Sequence, residues 1–80
     1  MLFRFSFTKG SGEASYYDRE FDRLADVKVF IKFMLLSFGD IDSVTLHQYL
    51  TDDSCGPIKF IGSYIFDGTR VINRDTKVVI

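Results

Sequence analysis

Cys55 is the only cysteine, and it stands in the run Asp52-Asp53-Ser54-Cys55-Gly56-Pro57. A nucleophilic cysteine needs a nearby base and a positive field to lower its pKa. Two aspartates precede it here and act in the opposite sense, and no third group is placed to orient His47, the only histidine. The run reads instead as a β-turn in which Asp and Ser bond local backbone and Gly56-Pro57 closes the bend. One Cys and one His fall short of the three or four ligands of a zinc site. Asp40, Asp42, Asp52 and Asp53 offer oxygens without calcium-loop spacing, so they read as solvated turn residues. Lys9-Gly10-Ser11-Gly12 lacks the helix N-terminus and the Lys-Ser/Thr pair of a phosphate loop, and a hairpin turn accounts for it. No catalytic, cofactor or metal site is expected.

Eighty residues form one domain, 1–80. A chain of this size hides roughly 60–65% of the surface its unfolded form exposes, and without disulfides it must rely on a dense core or a partner. The composition favours a dense core, with 46% hydrophobic residues, nine Phe and four Tyr. The net charge of −1 comes from interspersed signs, so no polybasic block exists to hold a phosphate backbone. The first residues have neither a charged leader nor a long apolar run, no segment is long enough to span a bilayer, and a lone cysteine suits a reducing compartment. A cytoplasmic protein without a membrane role is the expectation.

These side chains must be carried by regular elements. Leu2 to Thr8 alternates strictly, with Phe3, Phe5 and Phe7 on one side, as a half-buried strand does. Lys9 to Gly12 turns, and Glu13 to Glu20 returns as a second strand centred on Tyr16 and Tyr17. A helix is expected from an N-cap at Asp22 to about Phe38, ended by Gly39 in the C′ position. Val44 to Leu50 alternates as a strand. Ile58 to Phe66 is a strand apolar on both sides (Ile58, Phe60, Tyr64 and Phe66 against Ile61 and Ile65), hence central. Asp67-Gly68 marks a hairpin. Arg70–Asn73 and Lys77–Ile80 form a bent last strand or two short ones. The expected fold is α+β, a two-layer sandwich with one helix on an antiparallel sheet, in the order β-β-α-β-β-β.

On a helical wheel, Leu24, Val27, Phe30, Ile31, Met34, Leu35 and Phe38 fill one broad arc, the expected core face. Val29, Phe33 and Leu36 line up on the opposite side, flanked by Lys28, Lys32 and Asp26. A helix on a single sheet has nothing to shelter them, and three large side chains in water forgo roughly 1.5–3 kcal/mol each. Such a patch marks a partner site. Its simplest occupant is the same patch of a second copy, a twofold helix-to-helix dimer.

The functional expectation is a small non-catalytic protein-binding module that acts stoichiometrically. Its contacts are Val29, Phe33, Leu36, Lys32, Tyr16 and Tyr17, with Asp40, Asp42, Asp52 and Asp53 meeting a basic partner. In size and architecture the chain resembles the small inhibitors encoded by phages and mobile elements, anti-CRISPR proteins among them, a resemblance carried by no motif. The alternative is a single-stranded nucleic-acid binder whose open sheet face groups Arg4, Tyr17, Tyr49 and Lys59.

Overall fold

Alternation at Leu2–Lys9 gives β1, whose Phe3 and Phe5 are fully buried. The computed structural model describes residues 1–80. Lys9 closes the first turn: its carbonyl accepts from Gly12 N–H at 2.8 Å, and its N–H donates to Glu13 at 2.8 Å. Gly12 takes the left-handed φ of +87° that this reversal needs. Strand β2 (Ala14–Glu20) returns beside β1, followed by helix α1 (Leu24–Ser37) and strands β3 (Ile41–Tyr49), β4 (Ile58–Phe66) and β5 (Val71–Asn73). The five strands form one antiparallel sheet in the order β2-β1-β3-β4-β5, so the fold is the α+β arrangement expected.

Helix α1 lies on one face and approaches β3, β4 and β5. Val27, Ile31, Met34 and Leu35 bury into Phe3, Phe5, Val44, Leu46, Tyr64 and Val71, the heart of the core. The helix ends differ from expectation. Arg23, not Asp22, is the N-cap; it is extended and makes no side-chain cap bond. Phe21 is drawn into an aromatic cluster with Phe5 and Phe30, at 5.9 and 5.5 Å, which leaves Asp22 in the link. Gly39 has no positive φ; the chain leaves the helix through an extended Phe38, whose N–H still reaches Met34. Leu24 and Phe38, placed in the core arc by the wheel, are 48% and 47% exposed, because at either end the helix overruns the sheet's cover.

Strand β4 is an inner strand, but its faces change midway. Leu46 pairs with Gly62 and His47 with Phe60, so Ile61 is an extra residue, a β-bulge. The bulge turns Ile58 and Phe60 to the open face, away from Tyr64, with which the simple alternation had grouped them. Gly62 is the local mark of this distortion. A Cβ there would meet the Tyr64 hydroxyl at 2.9 Å and Asn73 Nδ2 at 3.0 Å. Beyond β5 the chain doubles back as a second short segment: Asn73 N–H donates to the Val78 carbonyl at 2.8 Å, Ile80 N–H to Val71 at 3.2 Å, and Ile72 bridges Val79.

Two outcomes follow from this architecture. Gly62→Val should destabilise the fold by about 1–3 kcal/mol in urea unfolding, since Tyr64 is buried and has little room to give. Asp67 accepts N–H bonds from Thr69 and Arg70 at 2.9 and 2.7 Å in the β4–β5 turn, which holds its carboxyl below the ordinary value. A depressed pKa contributes stability above the unfolded value and loses it as pH falls through the folded one. Unfolding of Asp67→Ala should therefore depend less on acid than wild type below about pH 4.

Candidate interaction surface

Val29, Phe33 and Leu36 are 65%, 54% and 59% exposed in the single chain, so nothing internal covers the second helix stripe. The rest of the surface is set by how the helix sits. Because α1 lies toward β3–β5, the helix-side face over β1 and β2 is filled by aromatic rings instead. Phe5 packs edge-on against Phe30 at 5.0 Å, Phe21 joins Phe3 at 6.4 Å, and Tyr17 lies 6.2 Å from Phe30. The Arg19 guanidinium caps this cluster, 5.0 Å from the ring centre of Phe21 and 4.9 Å from that of Phe30.

Beside the cluster runs an apolar groove of ≈430 Å³ whose walls include Phe7, Tyr17, Phe30, Phe33, Met34 and Phe38. Phe33 and Phe38 meet edge-to-face at 5.9 Å on its helix wall. A smaller hollow of ≈260 Å³ continues past Phe7, Met34 and Phe38 to Lys9 and Asp40, whose ion pair at 3.9 Å closes that end. Phe7 and Phe30 thus line the groove while half-buried against the core, as their spacing implies, whereas Phe38, which shares the core spacing, is exposed. Their apolar periodicity says that they face the sheet, not that the sheet ends before covering them.

The structure brings together only part of the expected contact set. Tyr17 and Phe33 line the groove and Asp40 sits at the end of the hollow beyond it, while Val29 and Leu36 are exposed elsewhere on the helix. Lys32 lies on the opposite flank, beside a hollow shared with Leu36, Arg70 and Val79. Tyr16 also borders the groove, but its ring alternates to the open face, 4.2 Å beneath the Arg4 guanidinium. Asp42 borders the helix C-terminal end, next to Leu35 and Leu36. Asp52 and Asp53 follow the far end of β3, on the order of 27 Å away for nine residues. Asp53 spends one carboxylate oxygen on the Cys55 N–H at 2.9 Å, the turn expected there. The four acids do not form one patch.

On the open face, cross-strand pairing sets Asp18, Arg4, His47 and Phe60 in one row. Arg4 Nε donates to Asp18 at 3.2 Å, and Tyr49 Oη donates to both carboxylate oxygens of Asp18 at 3.1 Å. Burial, together with that carboxylate, raises the Tyr49 phenol above its ordinary pKa. The grouping expected for bases holds for Arg4 and Tyr49, while Tyr16 stands where Tyr17 was placed and Lys59, paired with Gln48, alternates to the helix side. Arg4 is the basic member of that row, and Asp18 neutralises it. The His47 ring stands edge-on to Phe60 at 5.7 Å, with a buried Nδ1 that has no partner, and Cys55 is exposed in its turn. No three His, Cys, Asp or Glu side chains converge as metal ligands, and no helix is long and apolar enough to cross a membrane.

Comparison with protein-family models, with curated proteins and with solved structures found no match. The surface is therefore read from its own chemistry: apolar, aromatic and rimmed by separated charges.

Asp18→Asn should lower the Tyr49 phenol pKa in an ultraviolet titration, with the part due to burial remaining, and cost about 1–3 kcal/mol of stability. An unchanged titration would mean that Asp18 does not govern Tyr49.

Proposed function

We propose that this chain is a small non-catalytic protein-binding module that acts by occupancy, as small stoichiometric inhibitors such as anti-CRISPR proteins do. Its contact surface is the exposed stripe Val29, Phe33 and Leu36. The observation that carries the reading is that these three side chains, lined up on one face of the helix, stay in water, with Phe38 and Tyr17 exposed as well. A patch of this kind loses its hydration cost only against another apolar surface.

The charges on its rim indicate what that surface is. Lys28 and Lys32 lie on the same flank of the stripe, and neither makes an ion pair within the chain, in contrast to Lys9. An antiparallel twofold pairing of helices sets each flank against its own copy, lysines against lysines, which costs like-charge repulsion. The stripe therefore suits a different protein better than an antiparallel helix-to-helix dimer. The partner chemistry is an apolar cleft with carboxylates along the edge that meets Lys28 and Lys32. A reducing, cytoplasmic setting fits the exposed thiol of Cys55.

Phe33→Asp tests this directly in affinity capture from the source cell, with circular dichroism to show an intact fold. The wild-type bait should retain a protein in fixed stoichiometry and the variant should lose it at least tenfold. Equal retention by both would remove the stripe from the function. A salt-sensitive mobility shift with short single-stranded RNA or DNA would move the assignment to the open face instead.

A further inference from the structure

We infer that β2 is a self-association edge, at which a second copy of this chain pairs antiparallel about a twofold axis through Tyr17 and joins two sheets into one. The inference stands apart from the helix stripe and does not depend on what occupies it.

The two edges of the sheet are treated differently. At one edge, β5 is bonded along its outer side by the returning segment, through Asn73 to Val78 and Ile80 to Val71. At the other, β2 has no strand beyond it. Six of its seven residues are exposed, with Asp18 half-buried. It carries no proline, no lysine and no bulge, three of the devices that keep an edge from pairing; of its charges, Asp18 is paired with Arg4 and Arg19 lies over the Phe21 and Phe30 rings, which leaves Glu20. Nor does the helix overhang it, since α1 lies over β3, β4 and β5.

The backbone polarity of the free edge follows from its bonded one. Phe21 and Met1 exchange both bonds, at 2.9 and 3.0 Å, and Lys9 N–H donates to Glu13. With the β1–β2 register, Ser15, Tyr17 and Arg19 also turn their N–H and C=O toward β1. Ala14, Tyr16, Asp18 and Glu20 then present theirs outward, four unpaired donor–acceptor sets in a row.

A twofold axis normal to the sheet must pass through one residue of the strand, so that facing residues share a face. Centred on Tyr17, the midpoint of β2, all seven residues pair: Ala14 faces Glu20 of the second copy, Ser15 faces Arg19, and Tyr16 faces Asp18. No like charges stand opposite each other, and Arg19 lies diagonal to Glu13 of the second copy. Asp18, diagonal to its own copy, is already neutralised by Arg4 at 3.2 Å. Centring on Asp18 would set two carboxylates face to face, and centring on Tyr16 would draw the turn residue Gly12 into the ladder. Tyr17 at the axis is a non-hydrogen-bonded pair on the helix side, so the two phenol rings meet and the apolar grooves of both copies join across the dyad.

The register gives a sharp test. The wild-type chain at about 100 µM should show twice its 9.2 kDa mass by light scattering. Tyr17→Lys, which places two ammonium groups at the axis, should halve that mass with the circular dichroism unchanged. In a Cys55→Ser background, Tyr17→Cys should form an intermolecular disulfide under mild oxidation, because non-hydrogen-bonded partners sit about 4.5 Å apart at Cα. Ser15→Cys, on the same face but off the axis, should not. A monomeric wild type, equal cross-linking at both positions, or a dimer dissolved by Phe33→Asp but not by Tyr17→Lys would each overturn the proposal.

Discussion

One helix cannot cover a five-stranded sheet, and the rest of this molecule follows from that mismatch. Fourteen helical residues make a rod about 21 Å long and roughly 10 Å across. Five strands set about 4.8 Å apart place the outer two about 19 Å from each other. The helix settles over β3, β4 and β5, where Val27, Ile31, Met34 and Leu35 find Val44, Leu46, Tyr64 and Val71. The remaining half of that face must be closed by something wider than aliphatic side chains. Phe3, Phe5, Phe21 and Phe30 do this with edge-to-face contacts, and Arg19 lies over the last two rings. The abundance of phenylalanine is the compositional trace of a sheet wider than its cover.

The same mismatch produces both unprotected surfaces. A helix with one layer beneath it and none above leaves its far side in solvent, so Val29, Phe33 and Leu36 have no shelter. A helix displaced toward β5 leaves β2 without an overhang, and the groove beside Tyr17 marks where cover runs out. The open face is handled differently. There Arg4, Asp18 and Tyr49 bond one another and the Thr45 and Ser63 hydroxyls lie 2.9 Å apart, so these polar groups are paired without a covering layer. That arrangement occupies the charge a nucleic-acid site would need free.

Element order was legible because each element carries a local signal: period-two phenylalanines in β1, Gly12 and Gly68 at the turns, an uninterrupted helix between them. The stripe was legible for the same reason, since spacing alone places Val29, Phe33 and Leu36 opposite Val27 and Ile31. What local pattern could not convey was extent. Leu24 and Phe38 have core spacing but lie beyond the sheet's cover, and Phe7 and Phe30 line a groove because the helix sits off-centre. The bulge at Ile61 reversed the faces of Ile58 and Phe60, with Gly62 as its only trace in the chain. Tyr16 and Tyr17 look like a pair in sequence, yet adjacent strand residues point to opposite faces. Asp40 and Asp53 look like one acidic character, yet β3 holds them apart along its length. Strand order, and with it the bare edge, is a property of long-range pairing that no window of residues displays.

The fold closes one sheet edge with the segment that returns along β5 and leaves β2 bare, the edge proposed to pair with a second copy. Amide hydrogen exchange read by NMR at high protein concentration tests that claim residue by residue along β2. Protection is expected at Ser15, Tyr17 and Arg19 from β1, and equally at Tyr16 and Asp18 from the second copy, with the latter pair losing protection on dilution. Protection confined to Ser15, Tyr17 and Arg19 at every concentration would contradict it.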